Sequence, residues 1–222
     1  YDGNSKLISG LVIAQTATGS GLFGALTGAV QKLGLASVTS TGSSDEVGAM
    51  VGRMSAGTLS QVYATGTISA DEQVGGLVGM LNGGTISDSW TNVSITATNR
   101  AGGFVGSKGV GTMLRNYSLG PINSLGFNVG GFQGDQMIFM AAVNDNYYNT
   151  STSLRNTSQG AVGLSSSDFR VRANFDGWDF ATPTWRINSL ANDGFPYLAW
   201  QNIVPKVAST VGTDFWTTFG RS

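Results

Sequence analysis

A block framed by small residues recurs five times in this chain, and that recurrence constrains the fold more than any other feature. The blocks are Gly21-Leu-Phe-Gly24, Ala49-Met-Val-Gly52, Gly76-Leu-Val-Gly79, Gly103-Phe-Val-Gly106 and Gly131-Phe-Gln-Gly134. Their closing glycines lie 28, 27, 27 and 28 residues apart. A fixed period of this length marks architectures that stack one supersecondary unit many times. Within each block a Gly or Ala precedes a large apolar residue: Leu22, Met50, Leu77, Phe104 and Phe132. This reads as a short strand with bulk on one side and close contact on the other.

The match runs beyond the block. Seven residues past the closing glycine come Leu59, Ile86 and Met113, each preceded by a threonine (Thr58, Thr85, Thr112). Eleven past it come Tyr63, Trp90 and Tyr117, and sixteen past it Ile68, Ile95 and Ile122. An amphipathic helix would space its apolar residues by three and four, and this chain does not. Runs of four to six residues rich in Val, Ile and Thr, broken by Gly and Asn, read as strands. About three such strands per unit are too few to bury both faces alone, so the units must stack as coils, each strand pairing with its equivalent ~4.8 Å away. The expectation is an all-β, right-handed parallel β-helix (a β-solenoid) with coils of about 27 residues, and glycines at its corners to supply backbone conformations that a Cβ resists.

The organisation follows. Residues 1–150 read as stacked coils, 151–200 as an irregular, aromatic-rich C-terminal cap, and 201–222 as a tail that docks on the rod or on a neighbour. Within the cap, Ser166 to Arg172 predicts a short helix capped by Ser or Asp. Trp178, Phe180, Trp185, Phe195, Tyr197 and Trp200 have the bulk to cover the apolar columns of an open solenoid end. Phe215, Trp216 and Phe219 are too large to leave on a free tail.

Gly75-Gly-Leu-Val-Gly79 and Gly102-Gly-Phe-Val-Gly106, followed by Gly84-Thr-Ile-Ser-Asp-Ser-Trp90, resemble the GLUG motif. That repeat occurs in bacterial filamentous-haemagglutinin-type surface and secreted adhesins and in some IgA-specific metallopeptidases. The opening Tyr1 to Ile13 is similar to the coil preceding the first such motif. Gly163 to Asp168, Phe175 to Phe180, Trp185 to Ile187 and Phe195 to Leu198 resemble the segment that closes these arrays. The pattern lapses at Gln133 and after Gly134. The resemblance implies a structural or adhesive exoprotein, secreted or at the bacterial cell surface, attaching to a protein or glycan of a host or neighbouring cell.

Composition narrows the chemistry. The charged fraction is 11%, against roughly 25% for an ordinary soluble domain, and the 12 basic residues form no run. A phosphate-tracking nucleic-acid groove needs clustered Lys and Arg. Cys and His are both 0, which removes disulfides, thiolate or imidazole metal ligands, and any triad with a His base. No segment approaches the ~18 apolar residues of a membrane span. The chain opens without a charged-then-apolar leader, so a signal peptide is expected to be already removed or to lie outside this sequence.

Four features compete for a functional role. The acid pairs Asp45-Glu46 and Asp71-Glu72 are 26 residues apart and would stack at one corner, as a calcium site, an acid/base pair or a solvated turn; Asn99-Arg100 reaches the same corner one coil on. Tyr63, Trp90 and Tyr117 form either an exposed stripe that stacks on sugar rings or an interior ladder, with the interior favoured by their polar flanks. The threonine column Thr58, Thr85, Thr112 lacks the second column an ice-binding face requires, because Ser60, Ser87 and Leu114 lie two residues on. The glycine pairs lack the strand–loop–helix setting of a phosphate cradle. No catalytic residue, cofactor or metal ligand is assigned. Asp88, Asp135 and Asp145 read as lying in different columns, which disfavours a polysaccharide lyase or hydrolase. Two readings stay open beside the adhesive one: a substrate-positioning module of an IgA-type peptidase, and a self-associating filament subunit.

Overall fold

A computed structural model describes residues 1–137, 145–182 and 184–206; the expected docking of the tail through Phe215, Trp216 and Phe219 lies outside these. The chain winds into a parallel β-solenoid of about five turns. Each central coil carries four strand segments rather than three. The extra one comes from the glycine block, which splits at a two-residue bend into a short strand (Val47–Gly48, Val74–Gly75, Ala101–Gly102) and a longer one (Val51–Met54, Val78–Leu81, Val105–Lys108). Then follow a third (Thr58–Ser60, Thr85–Ser87, Thr112–Leu114) and a fourth (Tyr63–Ala70, Trp90–Ala97). The 13-residue strand Ala29–Thr41 spans the third and fourth positions at once, and so joins both ladders into one 12-stranded sheet.

Register is the 27-residue period made physical. Val30 pairs with Leu59, Leu59 with Ile86, and Ile86 with Met113, all parallel. Ile68, Ile95 and Ile122 pair in the same way. Both columns are buried in one continuous core with Met50, Leu77, Phe104 and Phe132. Phe104 and Phe132 stack face to face, ring centroids 4.7 Å apart and planes 7° from parallel.

The block glycines serve a different end from the one expected. A Cβ on Gly79 would sit 2.3 Å from the carbonyl carbon of Glu46, and one on Gly106 would sit 2.4 Å from that of Gln73. Neither residue adopts a positive φ; the glycines allow backbone to pack directly on backbone. The left-handed corners are instead held by residues with side chains: Glu46 (φ 58°), Gln73 (54°) and Arg100 (50°) at one, Gln61 (51°), Asp88 (49°) and Arg115 (56°) at another.

Just inside the second corner runs a polar ladder. Ser89 Oγ accepts from the Val62 amide, Asn116 Oδ1 from the Ser89 amide, and Asn146 Oδ1 from the Asn116 amide, at 3.2, 3.0 and 3.0 Å. Each side chain satisfies a backbone donor that burial would otherwise leave without a partner.

The aromatic C-terminal segment lies along the flank of the rod. Ser165 and Asp168 exchange hydrogen bonds and open two 3-10 turns, Asp168–Arg170 and Arg172–Asn174, where a short helix was expected. Trp185–Arg186 then pairs antiparallel with Tyr197–Leu198. Trp178 Nε1 donates to the Asp145 carbonyl (2.8 Å), Trp185 Nε1 to Asp88 Oδ1 (3.2 Å) and Trp200 Nε1 to the Gln61 carbonyl (2.9 Å). The segment therefore runs back down the rod as a strap, crossing coils in reverse order.

Candidate functional site

The aromatic column forms as its spacing required, yet on the outward side of the fourth strand. Its neighbours Ala64 and Leu35 belong to the interior core. Tyr63 and Trp90 stack at 4.9 Å and 5°, and Trp90 and Tyr117 at 5.7 Å and 4°. Tyr63 is half-buried, Trp90 5% exposed and Tyr117 0%. Both readings made from sequence are thereby revised: the column is neither open to sugar nor inside the coil. It lies beneath the strap in a second core with Phe169, Phe175, Trp178 and Trp185. Tyr117 Oη donates to the Pro196 carbonyl, and Trp90 Nε1 to Gln201 Oε1. Burial pushes the Tyr117 phenol far up, with the Asn192 side chain opposing weakly.

The acidic corner comes apart into ion pairs. Val47 pairs with Val74, so Asp45 stands over Glu72 and not over Asp71. Glu46 turns to Arg53, meeting its guanidinium through both carboxylate oxygens. Glu72 accepts from Arg100 at 2.9 Å and from Asn99 at 3.3 Å. Among the described residues no three His, Cys, Asp or Glu side chains converge as metal ligands.

A third arrangement corrects the reading that Asp88 and Asp145 occupy different columns. Arg115 donates to both oxygens of Asp88, at 2.7 and 2.8 Å. Tyr117 pairs with Tyr147, which sets Asp145 in the next coil over Arg115. The offset is 30 residues here because the chain between is three residues longer than the period, and that insertion hid the column. Desolvation raises the Asp145 carboxyl above its ordinary value, Arg115 opposes this, and Asp88 adds to it. Trp178 and Trp185 close over the group. Asp135 stands elsewhere, 3.4 Å from Arg100.

A second exposed feature has no counterpart among the expectations from sequence. Flanking the buried Ile68–Ile95 column, Thr39, Thr67 and Ser94 pair in register on one side, and Thr41, Ser69, Thr96 and Asn123 on the other. Thr39, Thr41, Thr67, Thr96 and Asn123 are exposed, and Ser69 and Ser94 half-buried. Parallel pairing holds the columns at strand spacing, which makes a continuous hydroxyl and amide face. Of the strands that build it, Tyr63–Ala70 and Trp90–Ala97 carry no charged residue. The signal was present as polar residues on either side of an apolar column already recognised.

No family model matches the chain, and no curated protein matches its sequence. Among solved structures, the chain is similar to a putative immunoglobulin A1 protease from Bacteroides ovatus, with a TM-score of 0.55 and 15% identity over 90% of this chain and 76% of that one. At that identity the likeness is one of fold.

Proposed function

We propose that this β-solenoid is a structural and adhesive segment of a secreted or cell-surface bacterial exoprotein, of the GLUG-repeat type. Its partner is a protein or glycan on a host or neighbouring cell. The observation that carries the reading is the uncharged hydroxyl face, set in register by parallel ladders and left uncovered while the strap hides the aromatic column. A rigid polar plane contacts a partner with little loss of conformational entropy, because its side chains stand on fixed strands. The resemblance of the repeat to haemagglutinin-type arrays supports the same reading.

The test is attachment of cells displaying the chain to an epithelial monolayer. Thr67→Arg combined with Thr96→Arg places two charges on the exposed face without touching the core. Attachment should fall at least tenfold while the melting temperature stays within a few degrees. Undiminished attachment by this variant would remove the face from the account.

A second reading is favoured by the fold shared with the B. ovatus protein: a module that positions substrate for a peptidase of the IgA type. A His-Glu-x-x-His zinc motif is not in this chain, which has 0 His, so such a site would belong to another chain or region. Measurable binding of immunoglobulin A1 to the isolated chain would favour this module over general adhesion.

A further inference from the structure

A cleft at the far end of the hydroxyl face holds a guanidinium that no described carboxylate neutralises. Asn149 caps the one-turn helix Thr150–Ser153, its side chain accepting from the Ser151 amide at 2.9 Å. Leu154 ends that turn in the left-handed region, φ 61°, and the reversal carries Arg155 back over the coil beneath. There its Nη2 donates to the carbonyls of Ile122 (2.9 Å) and Ser124 (2.6 Å). Nε is buried without an acceptor, Nη1 makes no hydrogen bond among the described residues, and none of their ion pairs includes Arg155. The cleft is open, about 520 Å³ in volume, and lined also by Asn123, Leu125 and Leu154. That volume suits a small ligand. Leu125 and Leu154 are 106% and 64% exposed, two apolar side chains standing beside an unpaired cation.

We propose that this cleft binds the carboxylate of an acidic sugar, with Arg155 as the anion-binding residue and Leu125 and Leu154 against the apolar side of the ring. The guanidinium has donors to spare, and hydrogen bonds between ionised partners are the strong ones. A single cation in an open cleft with Leu125 and Leu154 at its rim balances the one charge of a carboxylate, whereas a phosphate dianion would keep a second charge unbalanced there. Asn123 belongs to the column of Ser69 and Thr96, so a line of amide and hydroxyl groups leads out of the cleft along the rod. Such a line suits a polyol chain. Recognition of a carboxylate stands on the cleft alone, whereas the choice of a sugar as its bearer rests on the adhesive reading.

The experiment is titration of the full chain, followed by protein NMR shifts, with glucuronate, its methyl ester, glucose and N-acetyl-leucine. Glucuronate should bind saturably, with the ester and glucose at least tenfold weaker. Leu154→Asp sets a carboxylate at the rim without disturbing the core, suits the left-handed position better than Leu, and should weaken glucuronate at least tenfold with an unchanged melt. Arg155→Gln should do the same. Equal binding of acid and ester, no saturable glucuronate binding, or wild-type affinity in Leu154→Asp would each overturn the site, and preference for N-acetyl-leucine would overturn the sugar. Failure here leaves attachment through Thr67 and Thr96 standing, and undiminished attachment by the Thr67→Arg, Thr96→Arg variant leaves carboxylate binding by Arg155 standing.

Discussion

Ile86 shows what one interior position controls. It is fully buried between Leu59 and Met113, so Ile86→Asp puts an unpaired charge into a stacked apolar column and should cost about 4 kcal/mol or more. Thr85→Ser, one residue away and half-buried, should be nearly silent in the same urea melts. Equal losses would contradict the column. Gly106→Ala should cost roughly 1–3 kcal/mol, because its Cβ meets fixed backbone and not a side chain that can move. Lys108 offers the opposite sign. It is 8% exposed, pairs in register with Leu81, which pairs with Met54, and burial lowers its pKa. Lys108→Met should therefore stabilise by about 1–2 kcal/mol at neutral pH, and a loss would show that the ammonium has a favourable role.

At the scale of elements, the strap is held by the aromatic contacts of the second core and by indole hydrogen bonds. Trp185→Ala should cost about 3–5 kcal/mol and loosen the strap before the coils, seen as early loss of near-UV ellipticity with the β-signal retained. The Asp88–Arg115–Asp145 column adds a pH dependence. With the folded pKa of Asp145 raised, the native state holds more protons than the unfolded one across the interval above the ordinary carboxylate pKa, so this group's contribution falls as pH rises through it. Asp145→Asn keeps the carbonyl that Trp178 uses, and should be more stable than the parent at pH 7, with a flatter acid limb in melts followed against pH. The ladders were legible because strands repeat with their partners' period. The destination of the strap was not, since Trp178 to Trp200 signal a need for burial without saying against which surface. The Ser89–Asn116–Asn146 ladder was partly legible: Val62, Ser89 and Asn116 are 27 apart, but polar residues attract no notice as core until their backbone partners are known.

For the whole molecule, stability is a sum of coils and coil–coil interfaces. Amide exchange should be slowest in Trp90–Ala97, paired on both sides, and faster toward Asp2–Ser9, which pairs with Ala29–Thr41 alone among the described strands. Everything, including the register of the hydroxyl face and the seat of the strap, depends on coils stacked one period apart. A chain without cysteine allows this to be measured by cross-linking. Thr67 and Ser94 are register partners on the exposed face, within reach of a disulfide; Thr67 and Thr96 are diagonal and farther apart. Under mild oxidation, Thr67→Cys with Ser94→Cys should close quantitatively, read as a loss of two mass units, while Thr67→Cys with Thr96→Cys stays reduced. Closure of the diagonal pair with the register pair left free would contradict the fold.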